Sequence, residues 1–305
     1  SSADGLGYYD LEIEVESGFV FEDWEQVDFD HYHNISSAGE SWYRIVASQA
    51  GYLTSEATFS SDAGNIDLAL YDSNLNALVS SSEEGDVERV DWLASADEEF
   101  YLRVSGTNSE INFQLTNLVA VTGEVVNVTG TAGNDNFAFT AGDDHQVSVN
   151  GVSYDFAEGA INTVNFDGTS GSDTITLTGT SADEIATVRV SDVRFFGAGF
   201  TVSAVQIENV SIDGGGGFDV VDMFGDAGDD TFVAHPTWAH LSGAGYSHLM
   251  SGFGEVNAYG AGGNDEAFFY DSVGDDTYVG GPTYGRLYGL GYDNLAEDFI
   301  TYRAY

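Results

Sequence analysis

Apolar and polar residues alternate in short runs along the whole chain and almost nowhere recur at helical spacing. Alternation at period two marks half-buried strands. It predicts strands over residues 9–15, 41–47, 66–71, 100–104 and 112–118, each bounded by Gly, Asn, Asp or Ser. The fold class that follows is all-β. The texture changes near residues 119–124: before that point the turns are irregular, and after it they return periodically. The chain therefore divides into three parts. Residues 1–23 read as a strand or linker left from a preceding domain, 24–120 as a β-sandwich, and 121–305 as an Asp/Gly-rich parallel β-solenoid.

The periodicity is an internal repeat. Val210 begins a stretch that is repeated from Val256, an offset of 46 residues. Asp219 falls on Asp265, and Gly228-Asp229-Asp230-Thr231 falls on Gly274-Asp275-Asp276-Thr277. Gly243, Gly245 and Tyr246 fall on Gly289, Gly291 and Tyr292. Units start near 126, 164, 210 and 256, the first of them shortened, and a fifth opens at Tyr302. Stacked coils of this kind bury one continuous core, each leaning on its neighbours. A unit of this length makes either two coils of about 23 residues or one wide coil. Phe232/Tyr278, Leu241/Leu287 and Phe253/Phe299 are the expected core ladder.

Charge narrows the partners. Seven basic residues, all Arg, stand against 51 acidic ones, a net charge of −44. Such a field repels phosphate backbones and anionic lipid, which excludes nucleic acid, and it attracts cations. No apolar run approaches the roughly 18 residues of a membrane span, so membrane insertion is not expected. There is no Cys, hence no disulfide and no thiolate metal site. No HExxH, GxSxG or P-loop pattern occurs, and no pair of carboxylates is singled out for acid–base work, so the chain reads as non-catalytic.

The periodic turns resemble the calcium-binding nonapeptide of the repeats-in-toxin family, Gly-Gly-x-Gly-x-Asp-x-apolar-x. Residues 214–222, GGGGFDVVD, match it throughout; 130–138, 168–176, 225–233 and 260–268 match in part. The resemblance implies Ca²⁺ held by Asp135, Asp173, Asp219, Asp229, Asp230, Asp265, Asp275 and Asp276. Glycines allow the turn and expose carbonyls, and carboxylates supply the hard oxygens that Ca²⁺ takes. The spacing departs from the family's tandem array: Asp219 to Asp230 is 11 residues, and Asp230 to Asp265 is 35. Glu184 stands in the slot that is Asp230 and Asp276 in later units. Asp residues stacked at about 4.8 Å would repel by roughly 3–4 kcal/mol per pair at an effective dielectric of 20. Cations would relieve that. The alternative is that Asp-Gly and Asn-Asp simply make good turns by bonding their own backbone.

Residues 28–118 resemble the bacterial pre-peptidase C-terminal domain, a small accessory β-sandwich of secreted proteins. The likeness lies in Ser41-Trp42-Tyr43-Arg44-Ile45, in Gly64-Asn65-Ile66-Asp67-Leu68-Ala69-Leu70-Tyr71-Asp72, and in Phe100-Tyr101-Leu102-Arg103-Val104-Ser105-Gly106. Tyr8-Tyr9-Asp10-Leu11-Glu12-Ile13 resembles the closing strand of another such domain.

Other candidates carry less. His31 and His33 share a strand face without a third ligand, and His235, His240 and His248 map onto Gly281, Arg286 and Asn294 one repeat later. Trp238/Tyr284 and Tyr246/Tyr292 are repeated aromatics that could form a sugar-binding stripe. The expectation is a secreted or cell-surface structural or adhesive module of a larger fibre-like protein, stabilised by Ca²⁺. Its partners would be its own copies, neighbouring domains or surface glycans. The alternatives are the accessory region of a secreted hydrolase and a carbohydrate-binding module.

Overall fold

The computed structural model describes residues 19–305. The strand expected over 9–15, the closing-strand likeness at 8–13 and the linker assignment up to residue 18 lie outside the described residues. The fold is all-β, as the alternation demanded: a β-sandwich followed by a parallel β-solenoid.

The N-terminal part comprises β1 (Glu22–Val27), β2 (Phe29–Ala47), β3 (Gly51–Thr58), β4 (Ile66–Asp72), β5 (Ala77–Ser81), β6 (Val87–Ala94) and β7 (Glu99–Thr122). Strands β2 and β7 are long and pair with each other antiparallel over most of their length. The free side of β7 takes β4 along its first half and β3 along its second. The two strands thus serve both leaves and must bend between them. The pairing shifts register between Tyr32 and Ser37, and just beyond, Gly39 faces Gly106 across the pair, both at positive φ (135° and 108°). A side chain on Gly106 would also strike the carbonyl of Asn65. Between the leaves lie Ile45, Leu53, Ile66, Leu68, Phe100, Leu102 and Phe113.

The solenoid begins without a break. After a hairpin at Gly123-Glu124 the chain enters β8 (Val125–Thr129), which pairs with the end of β7. Then come β9 (Asn136–Thr140), β10 (His145–Val149) and β11 (Val152–Phe156), and the next unit is β12 (Thr163–Asp167), β13 (Thr174–Thr178), β14 (Ile185–Arg189), β15 (Asp192–Gly197) and β16 (Phe200–Val205). The unit after it is β17 (Asn209–Asp213), β18 (Val220–Phe224), β19 (Thr231–Ala234), β20 (Trp238–Gly243) and β21 (Tyr246–Ser251). The last full unit is β22 (Glu255–Tyr259), β23 (Glu266–Phe269), β24 (Thr277–Gly280), β25 (Tyr284–Gly289) and β26 (Tyr292–Glu297), with β27 (Thr301–Ala304) opening another.

Each full unit is two single strands followed by a three-strand antiparallel meander. In the unit that starts at β12, the first strand lies on one sheet, the second on the other, and the meander returns to the first. The unit thus visits the sheets three times, an odd number, so the next unit starts on the opposite sheet. Successive units therefore alternate between two facing sheets. Parallel neighbours meet at offsets of 35 residues (Ile175 beside Val210) or 38 (Val164 beside Val202). Neither coil of the sequence reading is present: 46 is the repeat of the chain, while stacking runs at 35 and 38. Each meander fills three neighbouring places in its sheet and runs backward through them, its last strand pairing with the first strand of its own unit and its first with the unit after. Inward residues of both sheets form one core, with Phe137 of one sheet 5.4 Å from Phe166 of the other, ring centre to ring centre.

The expected ladder is buried at Phe232, Leu241, Leu287, Phe253 and Phe299. Tyr278 departs from it and is 40% exposed. Among the described residues its strand, β24, pairs with β25 alone, whereas the equivalent Phe232 on β19 is flanked by β20 and β23.

Candidate functional site

The acidic residues of the periodic turns sit at the ends of the strands, where the chain crosses from sheet to sheet. Asp135, Asp173, Glu184, Asp219, Asp230 and Asp265 are all buried, and Asp276 is half-buried. Asp229 and Asp275 stand outside, exposed; Asp229 accepts the N–H of Asn264 on the next coil at 2.8 Å. Each buried acid lies five residues after a glycine and folds back beneath it, so that a Cβ on Gly130, Gly168, Gly179, Gly214, Gly225 or Gly260 would run into its carboxylate. The glycine is needed here for room as much as for φ.

The acids fall into two kinds. Those that open a meander are held within their own unit. Asp135 accepts the Thr131 N–H at 2.8 Å and the Asn150 side-chain amide at 2.6 Å. Asp230 accepts the Asp226 N–H at 3.0 Å and the Tyr246 hydroxyl at 2.6 Å. Asp276 accepts the Ser272 N–H and hydroxyl at 2.8 and 2.9 Å. Burial pushes Asp276 up, but the Ser272 bonds outweigh it and leave the carboxyl below the usual range. Glu184 takes the Thr180 hydroxyl at 2.5 Å, and Phe200 stands where later units have Tyr246 and Tyr292. The longer acid goes with the ring that lacks a hydroxyl.

The acids ahead of single strands reach across coils. Asp173 accepts the Asp135 N–H at 2.7 Å, Asp219 the Glu184 N–H at 2.7 Å, and Asp265 the Asp230 N–H at 2.9 Å. Each uses one oxygen for this. The other, Oδ2, is buried and finds no hydrogen-bond partner among the described residues, and the same holds for Oε2 of Glu184. Burial raises the pKa of all three, that of Asp219 to about 6, with neighbouring carboxylates adding to the effect.

No family model matches the chain, and no curated protein matches it. The solved structures similar to about a third of it include the following two. The pre-peptidase C-terminal domain of a collagenase from Bacillus anthracis is 11% identical, over 32% of this chain and 93% of that one, with a TM-score of 0.25. PliG from Aeromonas hydrophila, a periplasmic inhibitor of g-type lysozyme, is 10% identical, over 32% and 98%, with a TM-score of 0.23.

The turn acids do not gather into a calcium site built from side chains alone. Ca²⁺ takes six to eight oxygens converging on one point. Among the described residues, no three His, Cys, Asp or Glu side chains gather closely enough to hold a metal ion. Asp173, Asp219 and Asp265 aim one oxygen at a backbone N–H of the preceding coil, and the other, Oδ2, meets no donor among the described residues.

Other sequence candidates are dispersed. His31 and His33 stack on β2 with ring centres 5.9 Å apart, beside Asn112. His248 is fully buried in the solenoid core, its ring without a side-chain partner among the described residues, and burial pushes it down to about 4, so it is neutral. His235 stacks between Trp238 (4.2 Å) and Tyr270 (4.4 Å), and Tyr270 stacks on Tyr305 (5.1 Å). His235, Tyr270 and Tyr305 each follow a stacked strand at the 35-residue offset, and they tie coils together. Of the aromatics considered for sugars, Tyr246 and Tyr292 are buried, Trp238 is partly exposed, and Tyr284 lines a groove. Tyr246 and Asn150 were missed as partners of the acids. The recurring 16-residue interval from Asp230 to Tyr246 and from Asp276 to Tyr292 carried that signal.

Proposed function

We propose that the chain is a non-catalytic spacer of an extracellular protein, a stiff element that sets distance and presents neighbouring modules. The observation that carries this reading is the junction between its two parts. Strand β7 belongs to the sandwich, yet Leu118 and Val119 on it pack into the solenoid core, and β8 extends the same sheet. The first strands of the other solenoid sheet meet the sandwich too. The Tyr154 hydroxyl of β11 lies 2.9 Å from that of Thr54 on β3, and Arg89 of β6 lies over the Tyr154 ring at 5.2 Å. A spacer with no flexible linker at its one internal boundary transmits position and load. The acidic surface keeps it apart from other polyanions and suits a cation-rich medium. It suits both a surface protein and the non-catalytic part of a secreted enzyme.

The chain has no native Cys, so two introduced thiols can be labelled cleanly. Spin labels at Leu75→Cys on the sandwich and Leu290→Cys at the far end of the solenoid should give one narrow distance distribution, unchanged by calcium or chelator. A broad or two-peaked distribution would refute the spacer.

A second reading rests on one groove. Glu255, Asn257, Tyr284, Arg286, Asp293 and Glu297 line about 390 Å³ on the outer face of β22, β25 and β26. An aromatic ring beside planar hydrogen-bonding groups is a sugar-sized arrangement. Binding on a glycan array that Tyr284→Ala abolishes would support it, and a blank array would end it.

A further inference from the structure

At the sandwich end of the solenoid four turns surround a cavity of about 450 Å³. They are the β7–β8 hairpin at Glu124, the β9–β10 turn at Gly142-Asp143, the β11–β12 connection over 158–162 and the β15–β16 turn at Ala198-Gly199. Small-molecule sites occupy roughly 300–1,000 Å³, so the space is of ligand size. Its inner wall holds His145, the first residue of β10, which is 8% exposed. The ring sits against Phe139 and Phe200, with ring centres at 5.4 and 6.0 Å, and Nδ1 accepts the Gly142 N–H at 3.4 Å. An accepting Nδ1 leaves the ring proton on Nε2. That N–H finds no partner among the described residues, and it is not sealed in the core, since the ring lines the cavity. A buried donor in this position calls for an acceptor within the cavity.

The rim is acidic. Glu124, Asp143 and Glu158 stand exposed around the mouth, and no Arg is among the lining residues. Two bonds brace this rim: Glu124 accepts the Asn162 side-chain amide, and the Glu158 N–H donates to Asp144 at 3.2 Å. Among the described residues these carboxylates and His145 do not come close enough together to hold a metal ion. They are spaced for something larger than an ion. Ile161 and Ala198 add a small apolar wall. Gly159 and Gly199 keep the space open: a Cβ on either would meet nothing within 4 Å.

We propose that this cavity binds an amino sugar, free or as a unit of a glycan. A ring hydroxyl both accepts and donates, so it takes the His145 N–H and passes its own hydrogen to a rim carboxylate. The ammonium group answers the negative charge of Glu124, Asp143 and Glu158 with charge-assisted hydrogen bonds. The C–H face of the ring lies against Ile161 and Ala198. Other ligand classes fail one of these conditions. A metal ion or a simple amine offers nothing for the His145 N–H to bond, an anion is repelled by the rim, and a neutral sugar leaves the rim charge unanswered. The site is separate from the groove at Tyr284 and independent of the spacer role.

The test is an NMR titration of the ¹⁵N-labelled whole chain with glucosamine, N-acetylglucosamine, glucose and a glucosamine oligomer. Glucosamine should shift the Gly142, Gly159 and Gly199 amides and His145 Nε2 saturably, and bind about tenfold more tightly than the two uncharged sugars. The oligomer separates the sources: binding tighter than the monosaccharide marks a glycan unit, and weaker binding marks the free sugar. His145→Phe keeps a ring between Phe139 and Phe200 and removes the donor, so glucosamine should weaken about three- to tenfold. Asp143→Asn/Glu158→Gln alters exposed positions only, so it tests the site even where the His145 variant does not fold. It should bring glucosamine down to the level of glucose. Asp62→Asn/Asp275→Asn, elsewhere on the surface, removes the same charge and should change nothing. An absence of saturable shifts at the three glycines overturns the proposal, as does equal binding of glucose and glucosamine. So does a loss as large in the Asp62/Asp275 variant, which marks a general attraction of cations. Binding that Tyr284→Ala removes and the rim variant spares places the sugar in the other groove and overturns this site.

Discussion

The sandwich and the solenoid solve the same problem of excess negative charge in different ways. In the sandwich, arginines answer carboxylates on the surface: Arg44 pairs with Glu99 at 2.6 Å and Asp23 at 2.9 Å, and Arg89 with Asp91 at 3.0 Å. The solenoid carries surface pairs too, Arg303 with Glu266 at 3.0 Å among them, and adds a row of buried turn carboxylates, from Asp135 to Asp265, that backbone N–H groups, hydroxyls and amides answer. The first arrangement is local and salt-sensitive; the second is built into the stacking. The backbone of a neighbouring coil can thus supply the positive end of the interaction for an acidic repeat.

The contrast can be broken or sharpened by substitution. The largest effect should come from the solenoid core: Phe232→Ala removes a fully buried ring between two sheets and should cost about 3–5 kcal/mol in urea unfolding. Next comes the paired acid. Asp230→Ala strands the Tyr246 hydroxyl and the Asp226 N–H and should cost about 1–3 kcal/mol at neutral pH. Asp230→Glu with Tyr246→Phe, which copies Glu184 and Phe200, should recover most of that loss, where either change alone does not. Failure of the double variant would mean that the pairing across the turn is incidental. The smallest effect belongs to the sandwich surface: Arg44→Gln should cost about 0.2–1 kcal/mol at low ionic strength and less in molar salt. A salt-independent loss there would erase the distinction between the two regions.

Much of this was legible in the chain, and the illegible part has a physical cause. Strand alternation located the sheets because a half-buried strand must alternate. The 46-residue repeat located the turns and the buried acids within them. What it concealed was how the units stack. An antiparallel hairpin and a parallel crossing show the same alternation, so the meander from β19 to β21 could not be told from three successive coil strands. The direction in which Asp173 or Asp265 points was equally hidden, since a glycine five residues earlier suits a turn that exposes a carboxylate and one that encloses it. Tyr278 reads as core by its alignment with Phe232, and only the pairing of β24 shows it at the edge. The sandwich was legible through its strand pattern, but the facing of Gly39 and Gly106 depends on a pairing between residues far apart in sequence.

The central claim is that sandwich and solenoid are one body joined through β7 and β8. Trp24, Trp42 and Trp92 lie in the sandwich and Trp238 in the solenoid. Urea unfolding followed by fluorescence in Trp238→Phe reports the first region; in Trp24→Phe/Trp42→Phe/Trp92→Phe it reports the second. With circular dichroism at the sheet band normalising each variant's own stability, the fluorescence and dichroism transitions should coincide in both. A solenoid signal that is lost while the sandwich keeps its own, or the reverse, would contradict a shared fold across that strand.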